Sequence, residues 1–254
     1  MQNFRKPLLI IIAIAFLSAA VLSVMMLFSV NKIQAKFSVY GDSDAQEIQL
    51  KLDVFRGKNL IFLNIEDVAA IFDDYPYYEI KSITKEYPNV ISLSVGKRAE
   101  IFQIENADKV YVIDKEGIVL NDTGETEFPR NVLSIDVGNL SVTDGSVGGK
   151  IVTSDDELFY SVLTTSQALY LNDSVESVEI IKSEYGNFRD AVFKTYTGVE
   201  ITVWNVDDEG ENKIIKAFEC YEAISDYKKT AYYINAYKES DGEIVAEWTS
   251  HRGD

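Results

Sequence analysis

Residues 36–97 read KFSVYGDSDAQEIQLKLDVFRGKNLIFLNIEDVAAIFDDYPYYEIKSITKEYPNVISLSVGK, and their order of patterns decides the fold. Lys36–Tyr40 has the composition of a strand, closed by Gly41. Asp42, Ser43 and Asp44 are N-cap candidates, and Ile48, Leu52 and Phe55 then recur at helical spacing up to Gly57. Asn64 caps a second helix that turns Ile65, Val68, Ala69 and Phe72 inward. Glu79–Tyr87 and Val90–Lys97 follow as strands around Pro88-Asn89. In the second strand Ile91, Leu93 and Val95 alternate with Ser92, Ser94 and Gly96. The expected order is β-α-α-β-β over residues 31–98.

Upstream, Leu8–Val30 carries no charge. At about 1.5 Å per residue it can cross a hydrocarbon core of about 30 Å. A secretory h-region is shorter and ends in a small-residue cleavage site, so an uncleaved signal anchor is expected. Residues 1–7, with Arg5 and Lys6, would stay in the cytoplasm. The −17 net charge of the chain includes +2 from Arg5 and Lys6, so residues 31–254 carry −19, placed outside the cytoplasmic membrane.

Downstream, residues 99–229 are richer in strands. Ile101–Ile104, Val110–Ile113 and Ile118–Leu120 are short strands, with Asp114–Gly117 as a turn. Gly138–Gly149 is a glycine- and serine-rich loop. Asp155–Leu171 reads as a helix with Leu158, Val162 and Leu169 on one face. Val175–Ile181, Ala191–Lys194 and Glu200–Trp204 are strands, and Glu211–Ser225 is a helix burying Ile214, Ile215, Phe218 and Ala223. Residues 230–254 form a closing hairpin: Ala231–Tyr237 and Glu243–Trp248 around Glu239–Gly242. The fold class is therefore α+β: one transmembrane helix, a small β-α-α-β-β module, then a mixed domain ending in a β-hairpin.

The acidic balance, 41 Asp and Glu against 24 Lys and Arg, repels phosphate backbones and argues against a nucleic-acid partner. Cys220 is the one cysteine and lies in an apolar helical pattern, where a buried, inert thiol is expected. The one histidine, His251, stands near the C-terminus, which removes the commonest general base and zinc ligand. Ser82-Ile-Thr-Lys85 fits S-x-x-K but sits in a strand without S-D-N or K-T-G partners. Gly145–Lys150 is one residue short of a P-loop. Asn205-x-Asp207-x-Glu209-Gly210 begins like a calcium loop but has Lys216 where a bidentate glutamate belongs, so a solvated turn is expected. Arg252-Gly253-Asp254 and the sequons at Asn121, Asn139 and Asn172 are short matches of almost no weight. No catalytic, cofactor-binding or metal residues are assigned.

With the anchor and the β-α-α-β-β order in place, the chain resembles the FtsQ/DivIB family of bacterial cell-division proteins. Val39-Tyr40-Gly41, Gly57-Lys-Asn59-Leu-Ile-Phe62, Tyr75-Pro76-Tyr77, Tyr87-Pro88-Asn89 and Asp114-x-x-Gly117 carry the resemblance, with the tail Tyr233–Tyr237 and Val245–Trp248. The family's E-R-x-P reads here Lys97-Arg98-Ala99-Glu100, and its arginine before the second proline turn is Lys85. The resemblance implies that the β-α-α-β-β unit is a POTRA module. It further implies a non-enzymatic scaffold at the division septum, single-pass with the N-terminus inside and without cofactors. FtsB/DivIC-type and FtsL-type bitopic proteins would be its direct partners and the septal wall synthase an indirect one. The last strands would bind the FtsB-type partner by strand addition, through Tyr233, Tyr237, Glu243, Ile244, Val245, Glu247 and Trp248. For Trp248, closing the sheet's core is as good a reading as meeting a partner. The alternative function, resting on acidic composition alone, is a membrane-tethered wall hydrolase with paired carboxylates.

Overall fold

The computed structural model describes residues 5–39, 42–106, 109–123, 132–138, 140–224 and 233–250, with side chains from Ile11 onward. Tyr40, Gly41, Asn139, Ala231, Tyr232, His251 and the Arg252–Asp254 tripeptide lie outside them. The chain divides into two compact units, Met1–Arg98 and Ala99–Asp254.

The first unit opens with α1, Arg5–Leu27. Among the described residues no helix is long and apolar enough to cross a membrane; the side chains at the head of α1 are not among them. The helix stops short of the expected Val30. Val30 is instead a core residue, 2% exposed, whose N–H donates to Lys58 O at 2.8 Å. Strand β1 then runs Lys32–Phe37, earlier than the expected Lys36–Tyr40. Its parallel register on the strand Val90–Lys97 explains the shift: Ile33, Ala35 and Phe37 fall opposite Ile91, Leu93 and Val95, joining two apolar faces. Next to an uncharged run, this weak alternation is hard to see in sequence.

Two helices make the crossover that parallel strands require. They are α2, Ser43–Leu52, capped by Asp42, and α3, Ile65–Ala69, capped by Asn64, whose side chain accepts from Glu66 N. Gly57, at φ +82°, makes the turn that follows α2 and its 3-10 extension. β2, Tyr78–Glu86, and β3, Val90–Lys97, close a three-stranded sheet in the order β1-β3-β2. Ile48, Leu52, Val68 and Phe72 pack with Ile91, Leu93 and Val95 in one core. Ile65 is the exception to the expected inward set: it is exposed in the first turn of α3.

Among its described residues the second unit holds a nine-stranded mixed sheet, a small two-stranded one and two α-helices. The strands of the large sheet are β4 Phe102–Asn106, β5 Lys109–Ile113, β6 Val119–Thr123, β7 Leu133–Asp136, β10 Val175–Lys182, β11 Arg189–Thr195, β12 Glu200–Val203, β13 Tyr233–Lys238 and β14 Ile244–Thr249. Their order is β14-β13-β12-β11-β10-β7-β4-β5-β6. Strand β7 carries the sheet's continuity by pairing in parallel with both β4 and β10, and the sequence reading missed it. The expected Gly138–Gly149 loop is in part structured: β8, Val142–Asp144, pairs with β9, Val152–Thr153.

Helix α4, Asp156–Ala168, begins at Asp155, whose carboxylate accepts from Leu158 N. Helix α5 runs Gly210–Ala223. Leu158, Phe159, Val162, Ile214, Ala217 and Phe218 join the main core with Phe102, Ile135, Val178, Phe193 and Ile201. On α5 the expected inward set is corrected: Ile215 is half-buried, Ala223 is exposed, and Lys213 is buried.

Candidate partner-binding edge

Strand β14 ends the nine-stranded sheet, with one side paired to β13 and, among the described residues, no strand on its other side. The hairpin turn sets which backbone groups face that open side. Glu239 N donates to Glu243 O at 2.8 Å. In an antiparallel pair, hydrogen-bonded and non-bonded pairs alternate. The register Tyr237↔Val245, Ala236↔Ala246, Asn235↔Glu247 and Ile234↔Trp248 therefore directs Val245 and Glu247 at β13. Ile244, Ala246 and Trp248 direct their N–H and C=O groups outward. The far side of β13 gives the same parity: Ala236 O accepts from Trp204 N at 2.9 Å, so Ala236 faces β12 and Ala246 opposite it faces away.

Side chains divide the strand differently. Ala246 packs against the main core and Trp248 lies opposite the fully buried Ile234, yet Trp248 is 51% exposed. Its indole does not close the core. Ile244 and Val245 are half-buried, and Glu243 and Glu247 are exposed. Tyr233 and Tyr237 are half-buried on β13, and Tyr237 Oη donates to Glu247 Oε1 at 3.3 Å. Burial pushes the Tyr237 phenol pKa up, and the Glu247 carboxylate adds to the rise. Ala246 is the residue sequence reasoning left out. Its signal was only alternation, since outward parity depends on the turn.

The other sequence motifs resolve into structure. The calcium-like stretch is neutralised from within the chain. Asp207 pairs with Arg189, Glu209 accepts from Lys238 Nζ at 2.6 Å, and buried Lys213 donates to Trp204 O at 3.1 Å and Asn205 O at 2.8 Å. An ammonium thus satisfies the carbonyls that a metal would seek, and burial lowers the Lys213 pKa. No group of metal-ligating side chains forms among the described residues. Two acids do converge, with Asp155 and Asp207 lining a polar cavity of about 390 Å³, but both grip Arg189. The Arg189 hydrogen bond holds Asp155 below the usual aspartate value, whereas a general acid needs the opposite shift. Cys220 is half-buried and its thiol pKa is raised, chiefly by burial.

Fold and site together define a two-unit α+β protein whose large sheet ends, among the described residues, in the edge strand β14. No family model matches the chain. It is similar to the cell division protein DivIB of Clostridium acetobutylicum, 26% identical over 96 residues, covering 38% of this chain and 37% of that protein. It is likewise similar to DivIB of Clostridium tetani, 24% identical over 160 residues (63% and 58%). With DivIB of Clostridium botulinum it shares 23% over 129 residues (51% and 48%). The matched stretches span 37% to 58% of those proteins' lengths. The sequence is thus related to the FtsQ/DivIB family, whose motifs it resembles.

Proposed function

We propose that the chain is a non-enzymatic scaffold of the bacterial division machinery, anchored in the cytoplasmic membrane at the septum. Its outer part holds FtsB/DivIC- and FtsL-type partners and links them to septal wall synthesis. Kinship to DivIB supports the division role. Helix α1, 23 residues long, supports the anchor: at 1.5 Å per residue it measures about 35 Å, and Phe16, Leu17, Leu22 and Met26 stand exposed.

The observation that carries the mechanism is the open side of β14. Outward N–H and C=O groups of Ile244 and Ala246 offer a strand template, and backbone pairing supplies affinity without chemistry. Trp248 supplies apolar contact, and Glu243 and Glu247 favour a basic partner segment while discouraging indiscriminate pairing. The hydrolase alternative gains no support from Asp155 and Asp207, which Arg189 holds together as an ion-pair cluster.

The test is a pull-down from native membranes with the detergent-solubilised full chain as bait beside the same bait carrying Ala246→Pro. Proline removes an outward donor and blocks an added strand. Capture of small coiled-coil division proteins by the wild-type bait, lost in the folded variant, is expected. Equal capture by both baits would place the partner elsewhere, and capture of none would end the division reading.

A further inference from the structure

The turn Gly57–Phe62 is fastened to the end of α1. Asn59 Nδ2 donates to Met25 O at 3.4 Å, Leu60 N to Phe28 O at 2.7 Å and Gly57 N to Val30 O at 2.9 Å. Leu60 enters the core, but Ile61 and Phe62 point away from it, 42% and 76% exposed. They line an apolar cleft of about 320 Å³ with Ala20, Val21, Val24 and Met25, Asn59 being its polar member. Val21 is six residues before Leu27, about 9 Å back along the helix axis. Ile61 and Phe62 therefore reach back beside the last turns of α1 instead of standing beyond its end.

We propose that Ile61 and Phe62 form a lipid-inserted foot, buried among outer-leaflet acyl chains beside α1. This rests on the reading of α1 as a membrane anchor. The occupant is lipid because the patch continues the exposed apolar surface of α1 without a break, at Val21, Val24 and Met25. The surrounding chemistry matches a headgroup layer. Lys85 Nζ donates to Ile61 O at 3.4 Å, so an ammonium group stands beside the foot and suits anionic phosphates, and Lys58 adds a second positive charge in the same turn. The nearby Asp53 is engaged by Arg56 at 2.8 Å. Tyr87, 59% exposed and edge-on to Phe28 at 5.9 Å, is the type of aromatic that favours a membrane interface. A second attachment beside the helix fixes the tilt of the first unit on the bilayer, where a single span would let it swing.

The test uses the full chain with Cys220→Ala, so that an introduced thiol alone carries a nitroxide. Labels go on Phe62→Cys, on Val24→Cys as the anchor position, and on Val39→Cys beyond the far end of β1. Reconstitution is into phosphatidylcholine vesicles containing phosphatidylglycerol, and accessibility to oxygen is compared with accessibility to a water-soluble nickel chelate. The expected result is a several-fold higher oxygen-to-nickel ratio at both 62 and 24 than at 39. A lipid-like ratio at 24 with a water-like ratio at 62 overturns the foot and leaves the anchor standing. A water-like ratio at 24 overturns the anchor and the foot with it. Exclusion of both reagents at 62 means that protein, a second copy of this chain, covers the patch, and also overturns the foot.

Discussion

Val245 and Ala246 are neighbours with opposite duties. Val245 gives its N–H to β13 and Ala246 gives its own to the open side, as the Glu239–Glu243 bond and the register dictate. Val245→Pro should therefore break a ladder bond of the hairpin, destabilising it by about 1 kcal/mol or more, whereas Ala246→Pro should leave the melting temperature nearly unchanged. Equal melting losses would mean that the parity is wrong. None of this was legible in sequence, because one residue more or less in the Glu239–Gly242 turn would exchange the two roles. Asp155 offers a second check. Its carboxyl is held below the ordinary value of 3.8, first by the Arg189 hydrogen bond and then by Leu158 N. A depressed carboxyl contributes stability above its unfolded value and loses it as pH falls through the folded one. Asp155→Asn keeps the N-cap but loses the ionic bond, at a cost of about 1 kcal/mol near neutral pH after solvent screening. Urea unfolding should show that this gap narrows below pH 3.8; a constant gap would mean that the ion pair contributes nothing.

At the scale of elements, local signals worked where the chain states its own ends. Asp42, Asn64 and Asp155 cap the helices that follow them, and Pro88-Asn89 turns β2 into β3. Asp114–Gly117 is another such unit: Asp114 Oδ1 accepts from Glu116 N and Ile118 N, and Gly117 sits at φ +82°. A Cβ on Gly117 would lie 2.6 Å from Tyr160 Oη, which donates to Ile151 O. Gly117→Ala should cost at least about 1 kcal/mol from backbone strain, with more from displacing Tyr160. A thermal melt unchanged by the substitution would refute that. Elements defined only by distant partners were not legible. Strand β7 has two parallel neighbours far away in sequence, β8 and β9 are short, and Lys32–Phe37 becomes a strand only against β3. Lys213 was missed for the same reason, since the carbonyls that make its burial tolerable belong to Trp204 and Asn205.

For the whole molecule, two cores serve two tasks. The first unit ties its β-α-α-β-β frame to the end of α1 within a few residues, so Phe28–Val30 are part of the fold and not a linker. The second unit spreads one sheet over nine strands and leaves β14 at its end. The proposed division role rests on kinship, and the proposed means of holding a partner rests on that edge. The most direct measurement is residue-resolved amide exchange of the second unit, free and bound to an FtsB/DivIC-type partner from the same cell. Amides of Ile244 and Ala246 are expected to exchange quickly in the free protein and to become protected in the complex, while those of Val245 and Glu247 are protected in both. Unchanged exchange at Ile244 and Ala246 in a formed complex would contradict the edge-pairing mechanism.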